Sequence, residues 1–405
     1  MALDSGRGDR AHLWQLDPRI AFLNHGSFGA CPREVLLAQQ AIRDRMEREP
    51  VQFFVRDLEP LLDSARQALA SFIGADPEGL AFVPNATAGV NAVLRSLHFR
   101  AGDELLTTNH AYNACRNSLE FAAAKANARV IVAEVPFPLR AADEAVERVM
   151  AKVSPRTRLA LLDHVTSPTA LILPIGELVS ALGERGIETL VDGAHAPGML
   201  ALDVQSVGAS YYAGNCHKWV CAPKGAGFLY VREDRRADVH PLSISHGMNS
   251  RRKDRSRFRL EFDWTGTDDP SPYLCVPEAI RFLGKLLPEG WGALMRRNHQ
   301  LAIDGRNILC ESLGISPPAP DHMLGSMAAL PIADGSPEPA TSSLYADPQQ
   351  IELLDRFGVE VPLVPWPAPP KRLVRISAQI YNQPSEYQRL AAGLLEVLRP
   401  KSAAQ

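Results

Sequence analysis

Two stretches near the start of the chain, Arg33 to Glu49 and Asp57 to Ile73, repeat apolar residues at the three- and four-residue spacing of a helix buried along one face. The first follows Gly26 to Pro32, a turn rich in helix breakers. Beyond them the pattern changes. Short apolar runs at Leu80 to Val83, Glu104 to Thr107, Val130 to Val135, Leu159 to Asp163 and Glu188 to Asp192 have the length and content of strands, and helical patterns separate them. Repeated units of this kind predict a largely parallel sheet covered by helices on both faces. Ligands are then expected in the loops beyond the carboxyl ends of the strands.

Tyr211 to Gly214 and Gly227 to Val231 add two strands, tied by a loop from Cys216 to Lys224, before an irregular charged stretch that ends at Pro272. The expected fold class is therefore α/β, with a mainly parallel seven-stranded sheet in a large domain over 21–272, preceded by a segment over 1–20. A smaller α+β domain over 273–405 is read from one long helix between Val276 and about Leu309, strands at Met327 to Leu330 and Leu373 to Ser377, a helix near Gln349 to Phe357, and a closing helix from Pro384. Pro317 to Pro320 and Pro362 to Pro370 read as turns and edge connections, and no internal repeat is visible.

The 405 residues, 46% hydrophobic and 22% charged, suffice for a large core, and a formal net charge of −3 gives no overall attraction to nucleic acid or anionic membrane. Met1 to Asp17 lacks the apolar core of a secretory signal, and no apolar run approaches the roughly 18 to 20 residues of a membrane span. A cytoplasmic protein is expected. Six scattered cysteines imply free thiols; Cys216 and Cys221 have the spacing of half a zinc site, but no second pair follows, so packing is the expected role and no metal is assigned. The basic run Arg251 to Arg259 lacks a nucleic-acid-binding fold behind it. It is read as a flexible loop at a pocket mouth, placed to meet an acidic substrate tail.

The chemistry concentrates in Val191-Asp192-Gly193-Ala194-His195 and Gly214-Asn215-Cys216-His217-Lys218-Trp219. Their separation leaves room for one strand, so an acid at a strand end and a lysine on a nearby loop can converge on one ligand. Pyridoxal phosphate needs that pair: an amine for the Schiff base, and a carboxylate to keep the pyridine nitrogen protonated as an electron sink. Alone, such a lysine is usually a solvated charge and such an Asp a helix cap. Lys224 is the rival lysine, in a turn that leads straight into a strand. Phosphate would suit Val83-Pro84-Asn85-Ala86-Thr87, where Asn85 caps a helix and leaves the amides of Ala86 and Thr87 and the Thr87 hydroxyl free. An ordinary N-cap is the other reading. Gly225-Ala226-Gly227 lacks the third glycine of a dinucleotide fingerprint, so nucleotide cofactors are not expected.

Phe22-Leu23-Asn24-His25-Gly26-Ser27-Phe28-Gly29, the Lys218 segment, Arg375-Ile376-Ser377 and Tyr381-Asn382 together resemble the fold-type I pyridoxal-phosphate enzymes of aminotransferase class V. Within that family the chain is most similar to the isopenicillin N epimerase-like branch, over nearly its whole length. The resemblance implies Lys218 as the Schiff base, Asp192 on the pyridine nitrogen, His195 near the ring oxygen, and Thr87 with His217 around the phosphate. It implies an aromatic residue stacked on the cofactor, assigned to Tyr112 with His110 as runner-up. Thr166 and Ser167 fall where relatives contact the ring oxygen, or else serve the turn. Trp264-Thr265-Gly266-Thr267-Asp268 resembles a segment through which Thr267 reaches the phosphate of the neighbouring subunit, which implies a homodimer. Arg375 matches the clamp on a substrate α-carboxylate, with Asn24 and His25 lining the same pocket.

Epimerisation, C–S β-elimination and transamination share their first steps, and residue types alone do not choose among them. The resemblance ranks an amino-acid epimerase first, with C–S β-lyase and aminotransferase as alternatives. A second base for epimerisation is not identified. Desulfuration through an enzyme persulfide needs a mobile cysteine late in the chain, and neither Cys275 nor Cys310 lies there. A non-catalytic cofactor-binding protein would have no use for Lys218, Asp192 and Arg375 together.

Overall fold

The structure, a computed structural model, describes residues 10–338 and 347–399. Part of the stretch expected to lack a leader (1–9), and parts of the expected small domain (339–346 and 400–405), lie outside the described residues. After a short β1 (Ala21–Phe22), the strands β2 (Leu80–Val83), β3 (Glu104–Thr108), β4 (Arg129–Ala133), β5 (Thr157–Asp163), β6 (Glu188–Gly193), β7 (Tyr211–Asn215) and β8 (Gly227–Val231) form one sheet. Their order is β2-β8-β7-β6-β5-β3-β4, parallel except for β8, which opposes both its neighbours. The expected α/β architecture and seven-stranded sheet are present.

The continuous apolar runs of these strands follow from burial on both faces. Successive residues feed two different cores. Leu105, Leu159, Leu161 and Leu190 pack beneath the helices Ala86–Ser96 and Asn113–Lys125, whereas Leu106, Ala160, Leu162 and Val191 pack against Ile175–Gly183 on the opposite face. Because both faces are occupied, the charged residues of these strands fall at or near the strand ends. Asp163 and Asp192 stand at the carboxyl ends of β5 and β6.

In the C-terminal part, β9 (Met327–Ile332), β10 (Val359–Glu360), β11 (Leu363–Pro365) and β12 (Arg372–Ser377) follow. β12 lies between β11 and β9 in an antiparallel sheet, while β10 pairs in parallel with β1. The start of the chain is thereby joined to its end, and Trp14 packs edge-on against Tyr381 and Phe282.

The single helix expected from Val276 to Leu309 is two, Val276–Gly284 and Gly290–Leu313. Pro288 accounts for the break: it lacks an N–H, and its ring would meet the Gly284 carbonyl if the helix continued. The basic run is also corrected. Ser256 caps a short helix, Arg257–Phe262, and the run is held by acids on the helix Leu58–Ile73 and beside it. Arg252 pairs with Glu59 at 2.8 Å, Arg255 with Asp63 at 2.6 Å, and buried Arg259 with Asp63, Glu78 and Asp263. The guanidinium groups of Arg252, Arg255 and Arg259 are paired with acids of the same chain, so no acidic substrate tail is needed to hold them.

Candidate active site

Beyond β7 the chain turns through the loop that carries Lys218, whose side chain is buried with Nζ 3.1 Å from His195 Nε2. Trp219 donates its indole N–H to His195 Nδ1 at 3.3 Å. An indole is a donor only, so Nδ1 is an acceptor. Burial, reinforced by the Lys218 charge, drives the His195 pKa well below its usual range and keeps the ring neutral. The one ring proton then sits on Nε2, facing the Lys218 amine. Burial also lowers Lys218 to about 8, helped by Arg375 and opposed by Asp192.

His25 does not line an open pocket as expected. It is fully buried behind Lys218, with Nε2 3.0 Å from the Lys218 carbonyl, Nδ1 2.7 Å from the Tyr381 hydroxyl, and its ring 4.9 Å from that of Trp219. Desolvation lowers it to about 3, so it stays neutral and braces the lysine backbone. Lys224, the rival lysine, donates to the Gly29 carbonyl at 2.9 Å. Gly29 itself is fixed by crowding, since a Cβ there would strike the His217 carbonyl.

Asp192 accepts the Ala194 amide on Oδ1 at 3.0 Å and the Cys115 thiol on Oδ2 at 2.9 Å. Its register partner on β5 is Asp163, whose Oδ2 accepts the Tyr112 amide at 3.1 Å. Tyr112, 43% exposed, opens the helix Asn113–Lys125. Its phenol pKa is raised by burial, then by Cys115 and Asp192, and opposed by Arg375, which puts its ring among the site's charges. His110, the runner-up, is turned away: it is fully buried, 2.6 Å from Thr169 Oγ1, 2.9 Å from the Val135 carbonyl, and packed on Trp366.

Arg375 reaches the site from β12, donating to the Ser167 carbonyl and hydroxyl at 2.7 and 3.0 Å and to the Ser27 hydroxyl at 2.9 Å. Its Nε has no partner among the described residues. Burial lowers it to about 10, and it stays charged near neutrality. Asn24 acts behind it, accepting from the Ser27 hydroxyl and donating to Glu360 at 3.2 Å. Thr166 takes the turn role of its two readings, with its hydroxyl 2.7 Å from Thr169 Oγ1 and accepting the Leu171 amide at 2.8 Å.

At the other end of the site Asn85 caps Ala86–Ser96, accepting the Ala88 amide at 2.9 Å. The Ala86 amide is not free as expected, because it donates to Asn215 Oδ1 at 2.8 Å. Thr87 lies partly exposed in the first turn, and its hydroxyl also meets Cys115. His217 donates from Nδ1 to the Ala226 carbonyl at 3.0 Å, and burial lowers it to about 4.

The family described as aminotransferase class-V matches residues 33–390. The chain belongs to that family. It is 38% identical over 396 residues to an isopenicillin N epimerase of Amycolatopsis lactamdurans, covering 94% of this chain and 96% of that protein. It is 31% identical over 409 residues to a probable chloroplastic L-cysteine desulfhydrase of Arabidopsis thaliana, covering 95% and 84%. A solved mutant of C-DES with glycine covalently linked to its PLP cofactor shares the fold, with a TM-score of 0.76 at 22% identity over 95% of this chain and 98% of that one. The protein is a pyridoxal-phosphate enzyme of class V.

The class-V residues fit this cofactor. Lys218 offers a buried amine of lowered basicity, Asp192 a carboxylate held by two donors, and the helix start at Thr87 an end for phosphate. His217 would gain its second proton beside a phosphate, since an anion favours the charged ring. Among the described residues, Asp163 Oδ1 and Arg375 Nε are buried in the site without a partner. Thr267 is exposed, in a loop bordering a cavity of about 310 Å³ lined by Pro84, Ala88, Leu242, Gly266 and Tyr273. Sequence reasoning missed Cys115, Asp163 and Ser27. An acid ending β5 level with Asp192 was the one available signal for Asp163.

Proposed function

We propose that this class-V enzyme is an amino-acid epimerase, similar in reaction to isopenicillin N epimerase. The observation that supports epimerisation over the other class-V reactions is the 38% identity, over 94% of this chain, to an isopenicillin N epimerase; Arg375 and Asp192 both act on the buried Lys218 amine, which every reading shares. Pyridoxal phosphate supplies the electron sink that makes a Cα proton acidic. Arg375 binds the substrate α-carboxylate, for which its planar fork is suited, and Ser27 and Ser167 hold that fork in place. Lys218, lowered to about 8, is partly free amine at neutral pH and can take or return the proton. His195 orients it through Nε2, and His25 anchors its backbone. Tyr112 covers the site from the helix Asn113–Lys125.

A C–S β-lyase is the second reading. All six thiols are buried, and all six are raised in pKa, chiefly by desolvation, so none is a ready nucleophile. Direct β-elimination needs no enzyme thiol, which fits both this chain and its 31% identity to an L-cysteine desulfhydrase. Incubating the cofactor-loaded protein with L-amino acids and cysteine conjugates in D2O separates the readings. Inversion at Cα with deuterium incorporation supports the epimerase. Keto acid and ammonia without inversion overturns it in favour of the lyase, and conversion of the cofactor to its amine form favours transamination.

We further propose a cytoplasmic homodimer in which Thr267 of each subunit serves the phosphate of the other. Exposed Val51, Val55, Leu242 and Ile244 support such an apolar contact surface. Among the described residues no helix is long and apolar enough to cross a membrane. Light scattering tests the dimer, and Thr267→Val should weaken cofactor retention if the loop serves phosphate. A monomer that retains cofactor would overturn both.

A further inference from the structure

Asp163 and Asp192 end adjacent parallel strands as direct register partners. Their backbones are therefore about 4.8 Å apart with both side chains on the same face. Both are buried, at 2% and 3% exposure, and neither forms an ion pair within 4.0 Å among the described residues. Asp192 receives two donors, the Ala194 amide and the Cys115 thiol. Asp163 receives one, the Tyr112 amide, and its Oδ1 is buried without a partner. Two buried carboxyl groups projecting from adjacent strands to the same face disfavour ionising together, and the charge is better held where more donors meet it.

We propose that Asp163 is a positioning residue that works as a carboxylic acid, clamping the Tyr112 amide with one oxygen and leaving Asp192 as the only negative charge at the pyridine end of the site. The proposal rests on Asp192 as partner of the pyridine nitrogen, and not on which reaction follows. Burial and Asp192 both raise the Asp163 pKa well above the usual carboxylate range. The groups facing it are Asp192 from β6, Cys115 and the Tyr112 amide from the helix Asn113–Lys125, and Lys218 from the loop after β7. The rival is a plain helix cap: a charged Asp163 at the start of that helix, favoured by its dipole.

The two are separated by titrating the visible absorbance of the cofactor-loaded protein with pH, and by measuring retention of pyridoxal phosphate, in wild type, D163N, D163S and D192N. An amide keeps the acceptor for Tyr112 and is neutral, as the acid is. D163N should therefore hold the spectral midpoint near that of wild type, whereas D163S, which loses the clamp, should release the cofactor about tenfold more readily. A midpoint moved in D163N by about one pH unit would show that a charge was removed, and overturns the proposal. So does D163S that retains cofactor like wild type. D192N is the control for the underlying assignment: if its spectrum titrates like wild type, Asp192 is not the pyridine partner, whatever the Asp163 variants do.

Discussion

Trp219 and His195 meet at 3.3 Å, indole N–H to Nδ1, and this contact fixes which proton the Lys218 amine faces. With Nδ1 occupied, the imidazole presents Nε2–H to Nζ 3.1 Å away. An ammonium has no lone pair to accept it, so the arrangement favours the free amine. Trp219→Phe lets the ring take the other tautomer. Capture of pyridoxal phosphate by the variant apoprotein should then need a higher pH, by roughly half a unit to one unit. Stopped-flow absorbance at a series of pH values reads the midpoint, and an unmoved midpoint means the indole does not set the tautomer.

In the wild-type apoprotein the same measurement has a defined sign. Only the free amine attacks the aldehyde, and Lys218 is lowered to about 8, so the capture rate should rise with pH and level off above about 8. A rate still climbing at the ordinary lysine value would mean that burial does not act on this group as described.

Arg375→Lys keeps a charge but loses the fork and its grip on Ser27 and Ser167. The KM for an α-amino acid should rise by about 100-fold, while reaction with an amine lacking the carboxylate changes little. Equal losses on both substrates would place Arg375 outside carboxylate recognition.

Far from the site, Arg66 is 1% exposed and bonds Asp263, Asp63 and the Leu80 carbonyl. Arg66→Ala leaves Asp263 buried opposite one fewer guanidinium, and should cost about 3–5 kcal/mol in urea unfolding. A loss under about 1 kcal/mol would show that Arg259 compensates.

Asp163 also makes a prediction about stability without cofactor. Its folded-state pKa is raised, so its contribution is full at low pH and is lost as pH rises through the folded value. Asparagine has no such loss. The melting temperature of apo D163N relative to wild type should therefore climb with pH, and parallel curves would mean that Asp163 titrates normally.

The sheet was legible because strands buried on both faces must be apolar throughout, and the convergence of Lys218 with Asp192 because one strand separates two loops that open on the same side of the sheet. His25 was not. Its motif named the residue, but whether a side chain beside a glycine turn points to the pocket or behind Lys218 depends on Tyr381, from the far end of the chain. Ser27 was hidden for the same reason, since its partner Arg375 is 348 residues away. Cys115 looks in sequence like any small helix residue, and only the approach of β6 gives its thiol a carboxylate. The charges of 251–259 read as a flexible loop meeting a substrate tail because their partners Glu59 and Asp63 belong to a helix almost 200 positions earlier. The break at Pro288 could have been read, and was masked by apolar spacing that stays in phase on either side of it.

The pairing of β1 with β10, and of Ser27 with Arg375, sets an order on biosynthesis. A nascent chain can complete β2 to β8 and carry Lys218 beyond the carboxyl end of β7 while β12 is still inside the ribosome. Until that strand emerges, the amine is assembled but the guanidinium that would select an α-carboxylate is missing, and the first thirty or so residues wait without their partner strand. On the proposed role of Arg375, the group that grips the α-carboxylate is thus the last part of the site to be made.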